Sequence, residues 1–133
     1  MAQVLIVEDD LETRFGLEWA LRLEGIDVAT AGDGVQALAY LRLGRLPRVI
    51  LLDLQMPRMD GWSFRRVQRA HAALADIPVV LLTGDADPLA SARRLAVCAW
   101  FRKPYDLVAL TELLRSVCYP RTAPPPWAAS PMR

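Results

Sequence analysis

Three acidic residues stand directly at the ends of short apolar runs that are typical of buried strands. Glu8 and Asp9 follow the run VLIV, and Asp53 ends the run VILLD. If these runs are neighbouring parallel strands about 4.8 Å apart, the three carboxylates meet at one edge of the sheet. Carboxylates that close repel one another in a partly desolvated site, and protonation or a bound cation relieves the repulsion. Because hard oxygen ligands favour Mg²⁺, the pattern predicts a magnesium site at this edge.

Two later apolar runs also end in polar side chains. Thr83 follows VVLL and precedes Gly84, and Lys103 follows WFR and precedes Pro104. Lys103 is the single lysine of a chain whose other fifteen basic residues are all arginine. Four of the apolar runs therefore end in polar residues, and in a parallel sheet these residues would lie at the same edge.

The elements that must position these residues alternate between short apolar runs and amphipathic stretches. This alternation predicts an α/β fold, the flavodoxin-like doubly wound five-stranded parallel sheet in the order 2-1-3-4-5, with five helices. In such a sheet the functional site lies at the carboxyl ends of the strands. The predicted strands are Val4–Val7, Asp27–Thr30, Val49–Asp53, Pro78–Leu82 and Trp100–Arg102.

Apolar residues at helical spacing predict the intervening helices. Gly25 and Gly44 suit the carboxyl ends of the first two helices, and Asp106 suits the N-cap of the last. The fourth helix, expected over about Leu89 to Val97, has the weakest pattern. The helical residues are Leu11, Phe15, Trp19 and Leu23; Val35, Leu38 and Ala39; Phe64, Val67, His71 and Leu74; and Leu107, Leu110, Leu114 and Val117.

Length and composition limit the kinds of protein that this chain can be. Its 133 residues predict one domain, over residues 3–119, and the prolines concentrated in residues 120–133 predict an extended tail or the remnant of a linker. A net charge of +1 argues against nucleic-acid binding by this domain. No apolar run approaches the roughly 20 residues of a membrane span, and no secretory signal is visible, so a cytoplasmic location is expected. Cys98 and Cys118 lack metal-ligand spacing and are read as packed thiols.

Four segments of the sequence, VLIVEDD, LLDLQMPRMDG, VVLLTG and FRKPYD, together resemble the receiver domains of two-component response regulators. The resemblance covers about Gln3 to Tyr119. It implies a signalling switch of a two-component system or phosphorelay, with self-catalysed phosphorylation and dephosphorylation rather than an enzyme activity on other substrates. The implied phosphoryl donor is a histidine kinase or a phosphotransfer protein.

The same resemblance implies a role for each residue of the strand-end group. Asp53 matches the phosphoacceptor, and the Mg²⁺ ligands are Glu8, Asp9, Asp53 and the backbone carbonyl of Gln55. Lys103 matches the charge partner of the phosphoryl group, and a compact ammonium suits that position better than a planar guanidinium. Thr83 matches the switch hydroxyl. The glycine that follows it leaves room for the phosphoryl group, although a turn alone could also require glycine there.

Trp100 stands where the family usually has tyrosine or phenylalanine as the second switch residue. The expected readout is a change on the face formed by the fourth helix, fifth strand and fifth helix, where a downstream protein would dock. A phosphorylation-dependent homodimer is a further possibility. Arginines on the third and fourth helices could contact an acidic partner or could simply be solvated.

Three other functions fit the sequence less well. An aspartyl phosphatase would need a second acid two residues after Asp53, where this chain has Gln55. A flavin-binding protein would need a phosphate-cradling loop after the first strand, where this chain has acidic residues. A phosphorylation-independent interaction module of the same fold remains the alternative, and the complete set of site residues argues against it.

Overall fold

The chain folds into five parallel strands that alternate with five helices, as shown in a computed structural model that describes residues 2–118. The strands form one sheet in the order β2-β1-β3-β4-β5, which confirms the predicted doubly wound fold. The strands are β1 (Val4–Val7), β2 (Val28–Ala31), β3 (Val49–Asp53), β4 (Val79–Thr83) and β5 (Ala99–Arg102). The helices are α1 (Leu11–Leu23), α2 (Gly34–Arg42), α3 (Gly61–Ala70), α4 (Pro88–Leu95) and α5 (Leu107–Cys118).

The register of the sheet brings the site residues to the same edge. Val7 of β1 lies opposite Leu52 of β3, so Glu8 and Asp53 come next on their strands at the same level. The observed β2 and β4 each lie one residue further along the chain than predicted: β2 begins at Val28 instead of Asp27, and β4 ends at Thr83 instead of Leu82. The side chain of Thr83 is therefore fixed by the sheet itself rather than by the loop that follows.

Helices cover both faces of the sheet, which explains why the central strands are continuous aliphatic runs. On one face α1 and α5 pack against the strands and contribute Leu17, Leu21, Leu110 and Leu114 to the core. On the other face the core includes Phe64 of α3 and, in two adjoining clusters, residues of α2 and α4. Every residue of β1, β3 and β4 is buried, so these strands give the carboxyl edge a rigid support.

The first helix forms where predicted, and the apolar residues that indicated it lie on its exposed side. Leu11, Phe15, Trp19 and Leu23, whose spacing indicated the helix, are 53 to 71% exposed. The core instead receives Leu17 and Leu21. An apolar stripe at intervals of four residues thus identified the helix and not its buried side.

Aspartates cap the helices at the edge where the site lies. Asp10, Asp33, Asp60 and Asp87 each accept a hydrogen bond from the backbone N–H three residues later, at the starts of α1 to α4. The predicted cap of α5 is confirmed, since a carboxylate oxygen of Asp106 accepts from the N–H groups of Val108 and Ala109.

Gly25 and Gly44 have φ of +79° and +80°, the left-handed conformation that glycine adopts readily at helix ends.

No helix within residues 2–118 is long and apolar enough to cross a bilayer. Tyr119 and the proline-rich segment 120–133 lie outside the described residues, so the division of the chain at residue 119 stays a prediction.

Candidate functional site at the carboxyl edge of the sheet

The carboxylates of Glu8, Asp9 and Asp53 come together at the carboxyl edge of the sheet. One oxygen from each lies within 4.8 Å of the others. Glu8 and Asp53 are buried, with 2% and 8% of their surface exposed, whereas Asp9 is exposed. Three acids at this separation form a set of oxygen ligands that suits Mg²⁺, which needs only one or two carboxylates and keeps several waters.

Lys103 is the cation of this acidic group. Its Nζ donates a hydrogen bond to Oε1 of Glu8 at 2.8 Å and lies 3.5 Å from Oδ1 of Asp53. The backbone N–H of Lys103 donates to the carbonyl of Thr83 at 2.7 Å, which holds the lysine beside the end of β4. The peptide bond between Lys103 and Pro104 is cis. The single lysine thus contacts two of the three acids, and it lies closer to Glu8 than to Asp53.

The crowded charges shift the pKa values of the site residues in different directions. Burial raises the pKa of Asp53 to about 7, and the charges of Glu8 and Asp9 add to the increase while Lys103 opposes it. Burial also acts to raise the pKa of Glu8, but the hydrogen bond and charge of Lys103 outweigh it and the pKa is lowered. Burial and the neighbouring Glu8 raise the pKa of Asp9.

For Lys103, burial acts to lower the pKa, but the bond to Glu8 and the charge of Asp53 outweigh it and raise the value. The lysine therefore stays charged at neutral pH. Asp53, in contrast, exchanges a proton near neutrality while no other cation is bound. A cation that binds there competes with that proton.

The side chain of Thr83 is bonded to its own loop rather than to the acids. Its Oγ1 accepts a hydrogen bond from the backbone N–H of Asp85 at 3.0 Å. Oδ2 of Asp85 in turn accepts from Oγ of Ser91 at 3.1 Å, which links the end of β4 to the first turn of α4. Nothing in the sequence indicated this connection, because Asp85 and Ser91 belong to no recognisable motif.

Gly84 lies beside open space at the site. A methyl group in place of its hydrogen would meet no other atom within 4 Å, and its φ is not positive. The backbone therefore does not require glycine at this position. The site cavity, about 310 Å³, is lined by Gly84 together with Asp53, Thr83 and Lys103. These observations favour access to Asp53 over turn geometry as the reason for the glycine.

The loop after Asp53 is held by a close backbone contact at Gly61. A methyl group on Gly61 would lie 2.5 Å from the carbonyl oxygen of Asp53 and 2.8 Å from the Cα of Leu54. The N–H of Gly61 donates to the carbonyl of Leu54 at 2.8 Å. The start of α3 thus packs directly on the end of β3, which positions both Asp53 and the backbone of the intervening Gln55.

A second contact fixes the same loop to α2. Nε of Arg58 donates to Oδ2 of Asp33 at 2.6 Å, while the other carboxylate oxygen of Asp33 caps α2. Arg58 has a φ of +61°, uncommon for a residue with a side chain. Nothing in the sequence indicated this pair, because its two residues are 25 positions apart in the chain.

Trp100 does not lie among the residues of the acidic group. It is 39% exposed on β5, where it lies opposite Leu81 of β4. The next residue, Phe101, packs on the core face shared with α1 and α5, so Trp100 projects from the face that carries α4. Trp100 therefore lies outside the cavity. The predicted site residues that do line it are Glu8, Asp9, Asp53, Gln55, Thr83 and Lys103.

Comparison with known families and proteins agrees with this geometry. The sequence model of the family described as "Response regulator receiver domain" matches residues 4–115. The probable transcriptional regulator ycf27 of Cyanophora paradoxa is 32% identical over 117 residues, which cover 86% of this chain and 47% of that protein. The DNA-binding response regulator MtrA of Mycobacterium tuberculosis is 42% identical over 85 residues, covering 64% of this chain and 36% of that protein. The chain thus spans less than half the length of either relative.

Solved structures of similar folds cover nearly the whole chain. The chemotaxis protein CheY4 of Vibrio cholerae has a TM-score of 0.77 at 31% identity and covers 88% of this chain and 98% of its own. The signal receiver domain of a signal transduction histidine kinase from Syntrophus aciditrophicus has a TM-score of 0.81 at 29% identity, covering 92% and 96% respectively. The predicted strand order and the recognition of the sequence pattern are both confirmed.

Proposed function

Because the chain belongs to the response regulator receiver domain family, we propose that it accepts a phosphoryl group on Asp53 and acts as a phosphorylation-dependent signalling switch. Receiver domains are signalling domains rather than conventional enzymes, and they generally bind Mg²⁺. One observation carries the proposal for this chain: Glu8, Asp9 and Asp53 converge within 4.8 Å, and Nζ of Lys103 lies 3.5 Å from Asp53.

In the proposed reaction, a carboxylate oxygen of Asp53 attacks the phosphorus of a phosphohistidine on a histidine kinase or a phosphotransfer protein. The new P–O bond forms as the P–N bond to the imidazole breaks, and the imidazole leaves with the electron pair of that bond. Positioning and charge neutralisation supply most of the catalysis in such transfers. The open space at Gly84 admits the phosphoryl group, and Lys103 is near enough to pair with one of its oxygens.

The acids that surround Asp53 fit a Mg²⁺ ion, held by the carboxylates of Glu8, Asp9 and Asp53 and the backbone carbonyl of Gln55. When bound, Mg²⁺ supplies positive charge against the carboxylates and the phosphoryl oxygens. The raised pKa of Asp53 supports this assignment, since the burial and the like charges that shift it are what a divalent cation offsets. Lys103 alone leaves the acidic group with a net negative charge.

Thr83 and Trp100 are proposed to report phosphorylation. The hydroxyl of Thr83 would leave the N–H of Asp85 and turn toward the phosphoryl oxygens, which would alter the connection through Ser91 to α4. Trp100 is already on the face formed by α4, β5 and α5, where a downstream protein would dock. A change in the fluorescence of Trp100 on phosphorylation, absent from the variant Trp100→Phe, is the expected signal. An identical change in that variant would contradict the role of Trp100.

Intact-protein mass spectrometry tests the central proposal. After incubation with Mg²⁺ and acetyl phosphate, the full chain should gain the mass of one phosphoryl group. The variant Asp53→Ala should gain none, and EDTA should abolish the gain. Asp76→Asn is a matched control, because Asp76 is exposed and precedes β4 at the opposite edge of the sheet.

The same experiment separates the alternative function. An adduct that persists in Asp53→Ala would place the phosphoryl group elsewhere and contradict the proposal. No adduct from acetyl phosphate or from a phosphohistidine donor, together with no Mg²⁺ binding by calorimetry, would favour a phosphorylation-independent interaction module.

A further inference from the structure

A groove of about 680 Å³ between α3 and the second half of α4 is lined mainly by arginines. Arg65, Arg66 and Arg69 come from α3 and Arg94 from α4, with Trp62 at one end. None of these residues lines the cavity at Asp53. The groove is larger than that cavity and is not used by the proposed phosphorylation chemistry.

Arg65 fixes the two walls of the groove to each other. It is 7% exposed, and its Nε and Nη2 donate to the carbonyls of Leu95 and Ala96 at the end of α4, at 2.9 and 2.8 Å. Its Nη1 donates to Oε1 of Gln68 at 2.7 Å. No carboxylate of residues 2–118 pairs with this buried guanidinium. Burial and the nearby charge of Arg69 lower the pKa of Arg65, which is the direction expected where no carboxylate pairs with a buried guanidinium.

The other three arginines are exposed and free of acidic partners. Within residues 2–118, no carboxylate oxygen lies within 4.0 Å of a guanidinium nitrogen of Arg66, Arg69 or Arg94. The guanidinium carbon of Arg94 instead lies 4.9 Å from the centroid of the Trp62 ring, a cation–π contact. This contact places a flat, positively charged surface at one end of the groove.

We infer that this groove binds a nucleotide, with its phosphate groups on Arg66 and Arg69 and its base against the stacked Arg94 and Trp62. Guanidinium groups bind phosphate through paired hydrogen bonds and stack on flat rings, which ammonium groups do not. The volume falls within the roughly 300–1,000 Å³ of small-molecule sites. Several unpaired cations around so small a space favour a ligand that carries more than one negative charge.

Isothermal titration of the full chain in EDTA tests this inference. Without Mg²⁺, the acidic cavity at Asp53 repels phosphates, so binding there is suppressed. The probes are ATP, GTP, a cyclic dinucleotide, inorganic pyrophosphate and a ten-residue acidic peptide. At least one nucleotide should bind with a Kd of about 1–100 µM, at least about tenfold more tightly than pyrophosphate, which has no ring.

Charge-matched variants locate the binding. Arg66→Gln with Arg69→Gln should weaken nucleotide binding by at least about tenfold, and Arg94→Gln by about threefold or more. The control pair Arg42→Gln with Arg45→Gln removes the same charge from exposed positions, one at the end of α2 and one in the loop that follows, and should change Kd less than about twofold. Circular dichroism checks that each variant folds, which is expected because the substituted arginines are exposed.

Three results would overturn the inference. One is the absence of binding by any nucleotide at millimolar concentration. Another is equal binding of pyrophosphate, or binding of the acidic peptide alone, which would assign the groove to simple anions or to a protein partner. The third is an equal loss of affinity in the control pair, which would indicate attraction to the overall charge of the chain and not to this groove.

Discussion

The acidic cavity at Asp53 and the arginine groove between α3 and α4 both gather like charges, but they relieve the repulsion differently. In the cavity two of the three acids are buried, and this burial, together with the repulsion, raises the pKa of Asp53. Arginine cannot lose its proton near neutral pH, so the groove leaves three of its four guanidiniums exposed and stacks one on Trp62. Titration and cation binding are therefore the responses expected of the cavity, and anion binding is the response expected of the groove.

The largest expected effect comes from removing the one cation of the cavity. Lys103→Ala should slow phosphorylation by acetyl phosphate by about 100-fold, because a preorganised positive charge beside the reacting group is lost. Arg66→Ala should leave the rate unchanged, since Arg66 lies in the groove. Phosphorylation rates followed by intact mass measure both. An unchanged rate in Lys103→Ala would show that a positive charge in the cavity contributes no more to phosphorylation than one in the groove.

An effect of comparable size is expected from the backbone contact that supports the cavity. Gly61→Ala should lower the free energy of unfolding by about 2–4 kcal/mol, because its methyl group would overlap the carbonyl of Asp53. Gly16→Ala is the matched control: nothing lies within 4 Å of a methyl group there, and helix propensity predicts a gain of about 0.5–1 kcal/mol. Urea denaturation measures both values. Equal stability of the two variants would mean that the loop after Asp53 relaxes freely.

The groove is expected to depend on Arg65 for its structure and on its other arginines only for its charge. Arg65→Gln should destabilise the fold by about 2–3 kcal/mol, since it leaves the carbonyls of Leu95 and Ala96 without their buried donor. Arg66→Gln should change stability by less than about 0.5 kcal/mol, as exposed substitutions generally do. Thermal denaturation compares the pair. Similar losses in both would indicate that Arg66 also has a structural partner.

The smallest expected effect depends on pH. The pKa of Asp53 is raised on folding, so ionisation of this carboxyl destabilises the native state, and the cost grows as pH rises from about 4 to about 7. In EDTA, Asp53→Asn should therefore stabilise the fold by about 2 kcal/mol at pH 5 and by almost nothing at pH 3.5. Urea denaturation at the two pH values measures the difference. A gain that is the same at both would contradict the raised pKa.

Local patterns in the sequence were sufficient for most of the fold. Strands β1 and β3 begin and end where predicted, because each is an aliphatic run bounded by polar residues or turns. The shift of β4 by one residue reflects Thr83, whose type does not tell whether it is the last residue of a strand or the first of a loop. The apolar spacing that predicted α1 did not indicate which of its sides is buried, since exposed Phe15 and Trp19 are as apolar as the buried leucines.

The sequence by itself determined the strand order, the edge at which the site lies and the five side chains that meet there. Those features follow from local patterning and from recognisable motifs at the ends of strands. Only the tertiary structure decided that Lys103 pairs more closely with Glu8 than with Asp53, that Gly61 packs on the carbonyl of Asp53 and that Arg65 joins α3 to α4. Each of these contacts joins residues distant in the chain or depends on ångström-scale packing, and one-dimensional spacing contains neither.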